Sequence, residues 1–267
     1  MTRIAIVGAT GRMGRNLVSA VIGDEHATLA SALARSDSPL LGEDIGSVVG
    51  SYNINVPLKS DLEDIKDDFD VLIDFTTPEY SLRNLNICER LGKPILIGTT
   101  GFSDGQLNEI NKHANNIPVI LAYNTSLGIN LLLDLLSTSA KALGPEGYDI
   151  EIVEYHHRHK VDAPSGTAIM IGDVLAKATK TTLSDCGVFQ RVGAVGPRQT
   201  GEIGISVVRA GDIVGEHTVI LSTEGERIEI THKATSRMTF AKGAVKAARW
   251  LSKKQPGLYS MRDVLAL

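Results

Sequence analysis

Cysteine is scarce in this chain: Cys88 and Cys186 are the only two among 267 residues. One falls in a predicted helix and the other in a predicted loop, a pattern that fits plain thiols in a reducing compartment rather than a disulfide framework. Excess positive charge is also missing. With 27 Lys and Arg against 31 Asp and Glu, the formal net charge is -4. No global field attracts a phosphate backbone, so a nucleic-acid partner would need a local basic patch, and none is expected. Long hydrophobic runs are absent too. The apolar N-terminal stretch Met1 to Gly8 is far too short for a signal-peptide core or a membrane span, and no lipidation motif is present. The expectation is a cytoplasmic protein without a membrane partner. No internal repeat or low-complexity tract appears.

What is present describes an ordinary folded protein: 43% hydrophobic residues, 22% charged residues and 26 glycines. At roughly 150 residues per domain, the length allows one to two domains. Short apolar runs alternate with helical patterns through the first half: Ile4 to Val7, a helix from Met13 to Val21, then Ala27 to Ala34. The rhythm continues with Val71 to Phe75, a helix from Tyr80 to Leu91, Ile95 to Gly98, a helix near Ser103 to Ala114, and Val119 to Ala122. Such alternation predicts βαβ units and a parallel sheet.

The character changes near Ser126. Asn130 to Leu143 reads as a leucine-rich helix, followed by a strand from Tyr148 to Tyr155. Ile203 to Arg209, Ile213 to Ser222 and Arg227 to His232 are β-rich and separated by the turns Ala210-Gly211-Asp212 and Glu224-Gly225-Glu226. These predict a second α/β domain with a mostly antiparallel sheet, a kind that commonly pairs between subunits. Helical periodicity returns from Phe240 to Leu251.

Three segments carry the chemistry. Directly after the first strand comes Gly8-Ala9-Thr10-Gly11-Arg12-Met13-Gly14, leading into a helix. Gly8 permits a tight exit from the strand, Gly11 lets backbone amides approach a pyrophosphate, and Gly14 allows close helix packing. The helix N-terminus adds unpaired amides and a positive dipole end. The spacing G-x-x-G-x-x-G departs from the commoner G-x-G-x-x-G, and a turn with no ligand remains the alternative. About 20 residues after Gly14, where an acidic side chain would accept the ribose hydroxyls of NADH, stand Ala34, Arg35 and Ser36. Arg35 can pair with a 2′-phosphate, which predicts NADPH as the preferred cofactor with NADH possible. Otherwise Arg35 is a solvated charge, with Asp37 taking the ribose.

The second segment runs from Glu154 to Thr167, EYHHRHKVDAPSGT, and puts three of the seven histidines in four positions. A histidine with a pKa of about 6.5 can protonate carbon near neutral pH, and Arg158 and Lys160 would draw in anions. His157 and His159, if extended, would share a face and could bind a metal. Crowded cations oppose that, so no metal is expected; a solvated basic loop is the other alternative. Ser165 or Thr167 can cap the helix that follows, leaving the Gly166 and Thr167 amides for a substrate carboxylate. A cap with no ligand role would look the same. The third cluster, Gly98-Thr99-Thr100-Gly101-Phe102, and the similar Ala122-Tyr123-Asn124-Thr125 both end predicted parallel strands, the edge where α/β proteins bind ligands. Ordinary turns would also look like this.

Taken together, GATGRMG (Gly8 to Gly14), GTTGF (Gly98 to Phe102), EYHHRHKVDAPSGTA (Glu154 to Ala168), RAGDIVGEH (Arg209 to His217) and THKATSRMTF (Thr231 to Phe240) resemble the 4-hydroxy-tetrahydrodipicolinate reductase family in order and spacing. The resemblance implies a Rossmann-type dinucleotide-binding domain at residues 1–126, a substrate-binding and tetramerisation domain at 127–236, and a C-terminal return at 237–267 that completes the first. It implies a homotetramer acting on a small dicarboxylate. It makes His156 the proton donor and acceptor and Lys160 a second donor, with His157, Gly166 and Thr167 holding substrate. Gly8, Ala9, Thr10, Gly11, Arg12, Met13, Arg35, Gly98, Thr99, Thr100, Ala122, Tyr123, Asn124 and Thr125 would line the cofactor. Some members carry glutamate where this chain has Ala34, which puts balanced use of NADH in doubt.

Other two-domain NADPH enzymes, such as aspartate or homoserine dehydrogenases, would share the first domain but differ in the second. Short-chain dehydrogenase chemistry needs tyrosine four residues before lysine, whereas Tyr155 and Lys160 are five apart. A nucleotide sensor without catalysis would keep the first glycine turn and have no use for the histidine segment.

Overall fold

The computed structural model describes residues 1–267 as two compact units, one formed by Met1–Leu127 with Arg237–Ala266 and the other by Gly128–Ser236. In the first unit, β1 (Thr2–Val7), α1 (Arg12–Ile22), β2 (Ala27–Leu33), the short α2 (Ile45–Val48) and β3 (Leu58–Lys59) come first. They are followed by β4 (Val71–Asp74), α3 (Pro78–Leu91), β5 (Ile95–Ile97), α4 (Asp104–His113) and β6 (Pro118–Leu121). After α5 (Leu127–Leu143) the chain builds the second unit: β7 (Asp149–His156), α6 (Gly166–Ala178), α7 (Leu183–Cys186), β8 (Gly187–Val188), β9 (Ile203–Arg209), β10 (Gly215–Thr223) and β11 (Glu226–Ala234). It then returns to the first unit with α8 (Met238–Leu251), β12 (Gly257–Tyr259) and α9 (Met261–Leu265).

All seven strands of the first unit run parallel, in the order β12-β6-β5-β4-β1-β2-β3. Side chains alternate across a strand, so a sheet covered on both faces needs apolar residues at consecutive positions. The strands meet that requirement. Ile4, Ile6, Val71, Ile73, Leu96 and Ile120 join Leu17, Val18, Ala244 and Leu251 in one core layer. Their neighbours Ala5, Val7, Leu72, Ile95, Ile97 and Val119 join Leu85, Cys88 and Ile110 in the other. Local signals delimit the helices: Pro78 occupies the first turn of α3, Gly92 ends it with φ 64°, and Ser103 and Gln106 close a capping box on α4. Strand order reverses direction at β1, with β2 on one side and β4 on the other, the arrangement that opens a ligand crevice at the carboxyl edge of doubly wound sheets.

The second unit has a mixed sheet in the order β11-β10-β7-β9-β8. β10 pairs antiparallel with β11 and β7, while β7 with β9 and β9 with β8 are parallel. The turn Ala210-Gly211-Asp212 therefore does not close a hairpin between β9 and β10, as turn chemistry alone suggests. It carries the chain past the end of β7, where Ala210 N donates to His156 O at 2.9 Å and Arg158 N donates to Gly211 O at 3.1 Å. The antiparallel expectation holds for β11, β10 and β7, and the parallel pairs arise because β9 follows a long connection after α6. On β7, Ile150, Ile152, Glu154 and His156 face the core built with α5 and α6, and Val153 and Tyr155 face the other way, half-buried.

Candidate functional site

At the carboxyl edge of the parallel sheet, the backbone of the first glycine turn leaves no room for a side chain at Gly14. Gly8 has φ +67°, and a Cβ on Gly14 would lie 2.1 Å from Gly8 O. Gly11 occupies the N-cap of α1 with no side-chain capping bond, so the first-turn amides are not consumed by a cap. Ala9 is buried, Thr10 and Met13 are half-buried, and Arg12 is exposed at the start of the helix. This combination of a tight strand exit, an uncapped helix start and close helix packing suits a pyrophosphate held by backbone amides. Arg35 lies just beyond β2 with its side chain 77% exposed, Nε 3.5 Å from Asp37 Oδ1.

The neighbouring loops on this edge are held from beneath. Gly98 packs against Phe75 so closely that a Cβ would lie 2.2 Å from its ring, which gives this glycine a packing role of its own. Thr99 is buried, and its hydroxyl accepts from Thr76 N at 3.0 Å and Ser81 Oγ at 2.8 Å, while Thr100 is exposed. Ala122 is buried, Tyr123 is 50% exposed, and Asn124 Oδ1 accepts from Ser126 N at 2.9 Å. Thr125 is buried, and its hydroxyl donates to Phe240 O at 2.7 Å, which ties this loop to α8.

Sequence reasoning overlooked the residue that organises this edge. Asp74, at the end of β4, is fully buried and accepts from Thr76 N at 2.9 Å, Thr76 Oγ1 at 2.6 Å and Asn84 Nδ2 at 2.9 Å. Burial pushes its carboxyl pKa up, partly opposed by these hydrogen bonds. The sequence signal was available: an acid closing an apolar strand, followed by Thr-Thr-Pro at a helix start.

The second unit gathers the histidine segment around a buried carboxylate. Glu154 and His156 lie two residues apart on β7 and so share its core face. His156 Nδ1 lies 2.5 Å from Glu154 Oε2. Arg209 at the end of β9 donates to both oxygens of the same carboxylate, at 2.9 and 2.8 Å, and Ser165 N donates to Oε1 at 2.9 Å. Burial alone would raise the Glu154 pKa, but the bonds from His156, Arg209 and Ser165 outweigh it and lower it to about 2. His217, opposite Glu154 on β10, packs edge-on to the His156 ring at 5.4 Å, and its Nε2 lies 3.2 Å from Ser165 Oγ. Burial, reinforced by the charge of His156, depresses the pKa of His217 to about 4, so it is neutral near pH 7.

Past His156 the chain leaves the sheet. Lys160 N donates to His157 O at 3.1 Å, closing a turn. His157 and His159 therefore do not alternate on an extended strand as their spacing suggests; their rings lie 6.3 Å apart, tilted by 39°. The Lys160 ammonium reaches both oxygens of Asp162 at 2.8 Å, and Asp162 O accepts from Arg209 at 2.7 Å. Ser165 then caps α6, its Oγ accepting from Ala168 N at 3.1 Å. A Cβ on Gly166 would meet nothing within 4 Å, so the first turn of α6 borders open space at that position. Glu154 thus joins His156 directly, the Lys160 loop through Arg209 and Asp162, and Ser165, the cap of the helix that opens with Gly166 and Thr167. The sequence motifs contain Glu154, Arg209 and His217 but assign them no role; the i, i+2 spacing of Glu154 and His156 was the readable clue.

Residues 2–125 match the family described as dihydrodipicolinate reductase, N-terminus, and residues 128–265 the one described as dihydrodipicolinate reductase, C-terminus. The chain belongs to the dihydrodipicolinate reductase family. A relative from Chromohalobacter salexigens named 4-hydroxy-tetrahydrodipicolinate reductase is 57% identical over 267 residues, spanning 100% of this chain and 99% of its own. Another of the same name, from Hahella chejuensis, is 55% identical over 100% of both chains. The solved structure of a dipicolinate-bound dihydrodipicolinate reductase from Paenisporosarcina sp. TG-14 has a TM-score of 0.78 and 26% identity, covering 97% of each chain.

Proposed function

We propose that this chain reduces 4-hydroxy-tetrahydrodipicolinate to tetrahydrodipicolinate, a step toward diaminopimelate and lysine, preferring NADPH to NADH. One observation carries the reading beyond family membership: His156 is anchored by a buried carboxylate in the same network that fixes the cationic loop of Lys160 and the first turn of α6. That arrangement joins a proton donor to an anion-binding surface, the pair of functions a dicarboxylate ring needs.

Reduced nicotinamide, when bound, supplies the hydride. The residues suited to hold it are Gly8, Ala9, Thr10, Gly11, Arg12 and Met13 for the pyrophosphate, and Arg35 for a 2′-phosphate. Gly98, Thr99, Thr100, Ala122, Tyr123, Asn124 and Thr125 are the candidates for the remainder. Thr99 and Thr125 are buried, with the Thr99 hydroxyl accepting from Thr76 N and Ser81 Oγ and the Thr125 hydroxyl donating to Phe240 O, so their backbone groups are the ones best placed for a ligand.

Loss of the substrate's 4-hydroxyl as water, with a proton from the adjacent ring carbon, leaves an imine conjugated to an alkene; addition of hydride at the distal carbon then gives an enamine that must gain a proton on carbon. His156 provides it, and Lys160 is the second donor. The helix amides at Gly166 and Thr167, with His157, hold a carboxylate. Lys160 exchanges Asp162 for the other, which replaces one charge-assisted bond by another and makes the exchange nearly balanced. Cations fixed around an anionic ring also favour the electron-rich transition state without reorganising at the moment of reaction.

The outward face of the second unit's sheet bears half-buried Val153, Tyr155 and Ile220, which supports its use in a homotetramer. Light scattering at the mass of one chain, 28.6 kDa, would refute that assembly. For the activity, the decisive test is NADPH oxidation with freshly generated 4-hydroxy-tetrahydrodipicolinate, with aspartate semialdehyde and oxaloacetate as controls. Turnover of a control in place of the named substrate would overturn the proposal.

A further inference from the structure

We infer that Glu154 is a positioning residue that locks the Nδ1 proton of His156 in place and thereby dedicates Nε2 to proton transfer. The inference rests on His156 acting in the proposed reduction, and it adds the device that selects which nitrogen reacts.

Each oxygen of Glu154 already accepts from Arg209, and Oε1 also accepts from Ser165 N. Held ionised in this way, the carboxylate has no proton to give. An ionised carboxylate only accepts. The contact of 2.5 Å between His156 Nδ1 and Glu154 Oε2 is then possible only with the proton on Nδ1. In a neutral imidazole, that leaves the lone pair on Nε2; in an imidazolium, Nε2–H is the proton available for release.

Two further features serve the same end. A Cβ on Gly215 would lie 3.0 Å from His156 Nε2, so a larger residue there would crowd the reactive nitrogen. His217, edge-on to His156, is buried and engages Ser165 Oγ, so it supports the ring without competing for the Glu154 carboxylate. Glu154 also explains why the Lys160 loop and the α6 N-terminus share one frame: Arg209 bridges its carboxylate to Asp162 O, and Ser165 N binds it directly.

The test is a tautomer measurement on the full-length protein labelled with 15N-histidine, with long-range 1H–15N spectra recorded across the pH range in which it stays folded. His156→Gln identifies the signals. The expected result is an Nδ1 that stays protonated at every pH while only Nε2 gains and loses a proton. Loss of the Nδ1 proton would overturn the inference, whether or not the enzyme turns over the proposed substrate. Glu154→Gln is expected to release the tautomer to a mixture and to lower kcat by roughly 10²–10⁴-fold with little change in KM for NADPH, as expected when the group orienting a catalytic histidine is replaced by its amide. Glu154→Asp, which keeps the charge, is expected to restore part of the Nδ1–H population even where the glutamine variant folds poorly. An unchanged tautomer in a folded Glu154→Gln protein would also contradict the assignment.

Discussion

Gly14 lies against Gly8 with no room for even one methyl: a Cβ on Gly14 would sit 2.1 Å from Gly8 O and 2.7 Å from Ala9 Cα. Both obstacles are backbone, so no side chain can swing aside. Gly14→Ala is expected to shift the start of α1 away from β1 and to cost about 1–3 kcal/mol, the range for forced overpacking. Denaturant unfolding measures the cost, and the KM for NADPH should rise in the same variant. Wild-type stability with unchanged KM would show that the turn accommodates the methyl.

Nucleotide preference turns on Arg35. Its exposed guanidinium has only a loose contact with Asp37, so Arg35→Ala should leave stability nearly untouched. It is expected to raise the KM for NADPH about tenfold while leaving that for NADH within about twofold, the loss of one charge-assisted phosphate contact. Equal effects on the two cofactors would remove Arg35 from 2′-phosphate recognition.

The signs of the pKa shifts predict how stability varies with pH. His217 has its pKa lowered from 6.5 to about 4 in the folded protein. Between those values the unfolded chain binds a proton that the folded one does not, so stability falls as pH drops from about 6.5 toward 4. Glu154, lowered from 4.5 to about 2, adds stability that is present above pH 4.5 and is lost as pH falls toward 2. Urea midpoints at pH 7.5, 6 and 5 should decline in that order on the order of the His217 linkage, and His217→Asn should flatten the slope. A slope unchanged by the substitution would assign the titration to another group.

Lys160→Met is expected to lower kcat and raise the KM for substrate together, since the ammonium is proposed both to bind a carboxylate and to give a proton. The variant also frees Asp162 from its bidentate partner. A rise in KM alone would make Lys160 an anchor only.

Much of this molecule was legible in its residues, and the reason is locality. The first strand, the glycine turn and α1 are encoded within a stretch from Thr2 to Ile22, where periodicity and backbone permissiveness act together. Ser165 as a helix cap was readable in the same way, although Thr167 was an equal candidate before the hydrogen bond to Ala168 N decided it. What escaped depends on partners distant in sequence. β9 pairs in parallel with β7 across about fifty residues, and no local turn signal reports such a pairing. The three-residue strand β12 is too short to show alternation and gains its place from β6. Asp74 and Glu154 look like ordinary acids until Thr76, Asn84, Ser165 and Arg209 close around them.

The central claim is that His156 gives the proton that completes reduction. Comparing NADPH oxidation by the wild-type protein and by His156→Gln, with 4-hydroxy-tetrahydrodipicolinate as substrate, tests it most directly. The account predicts a loss of kcat of roughly 10²–10⁴-fold with NADPH affinity nearly unchanged. A variant that retains wild-type kcat would contradict it.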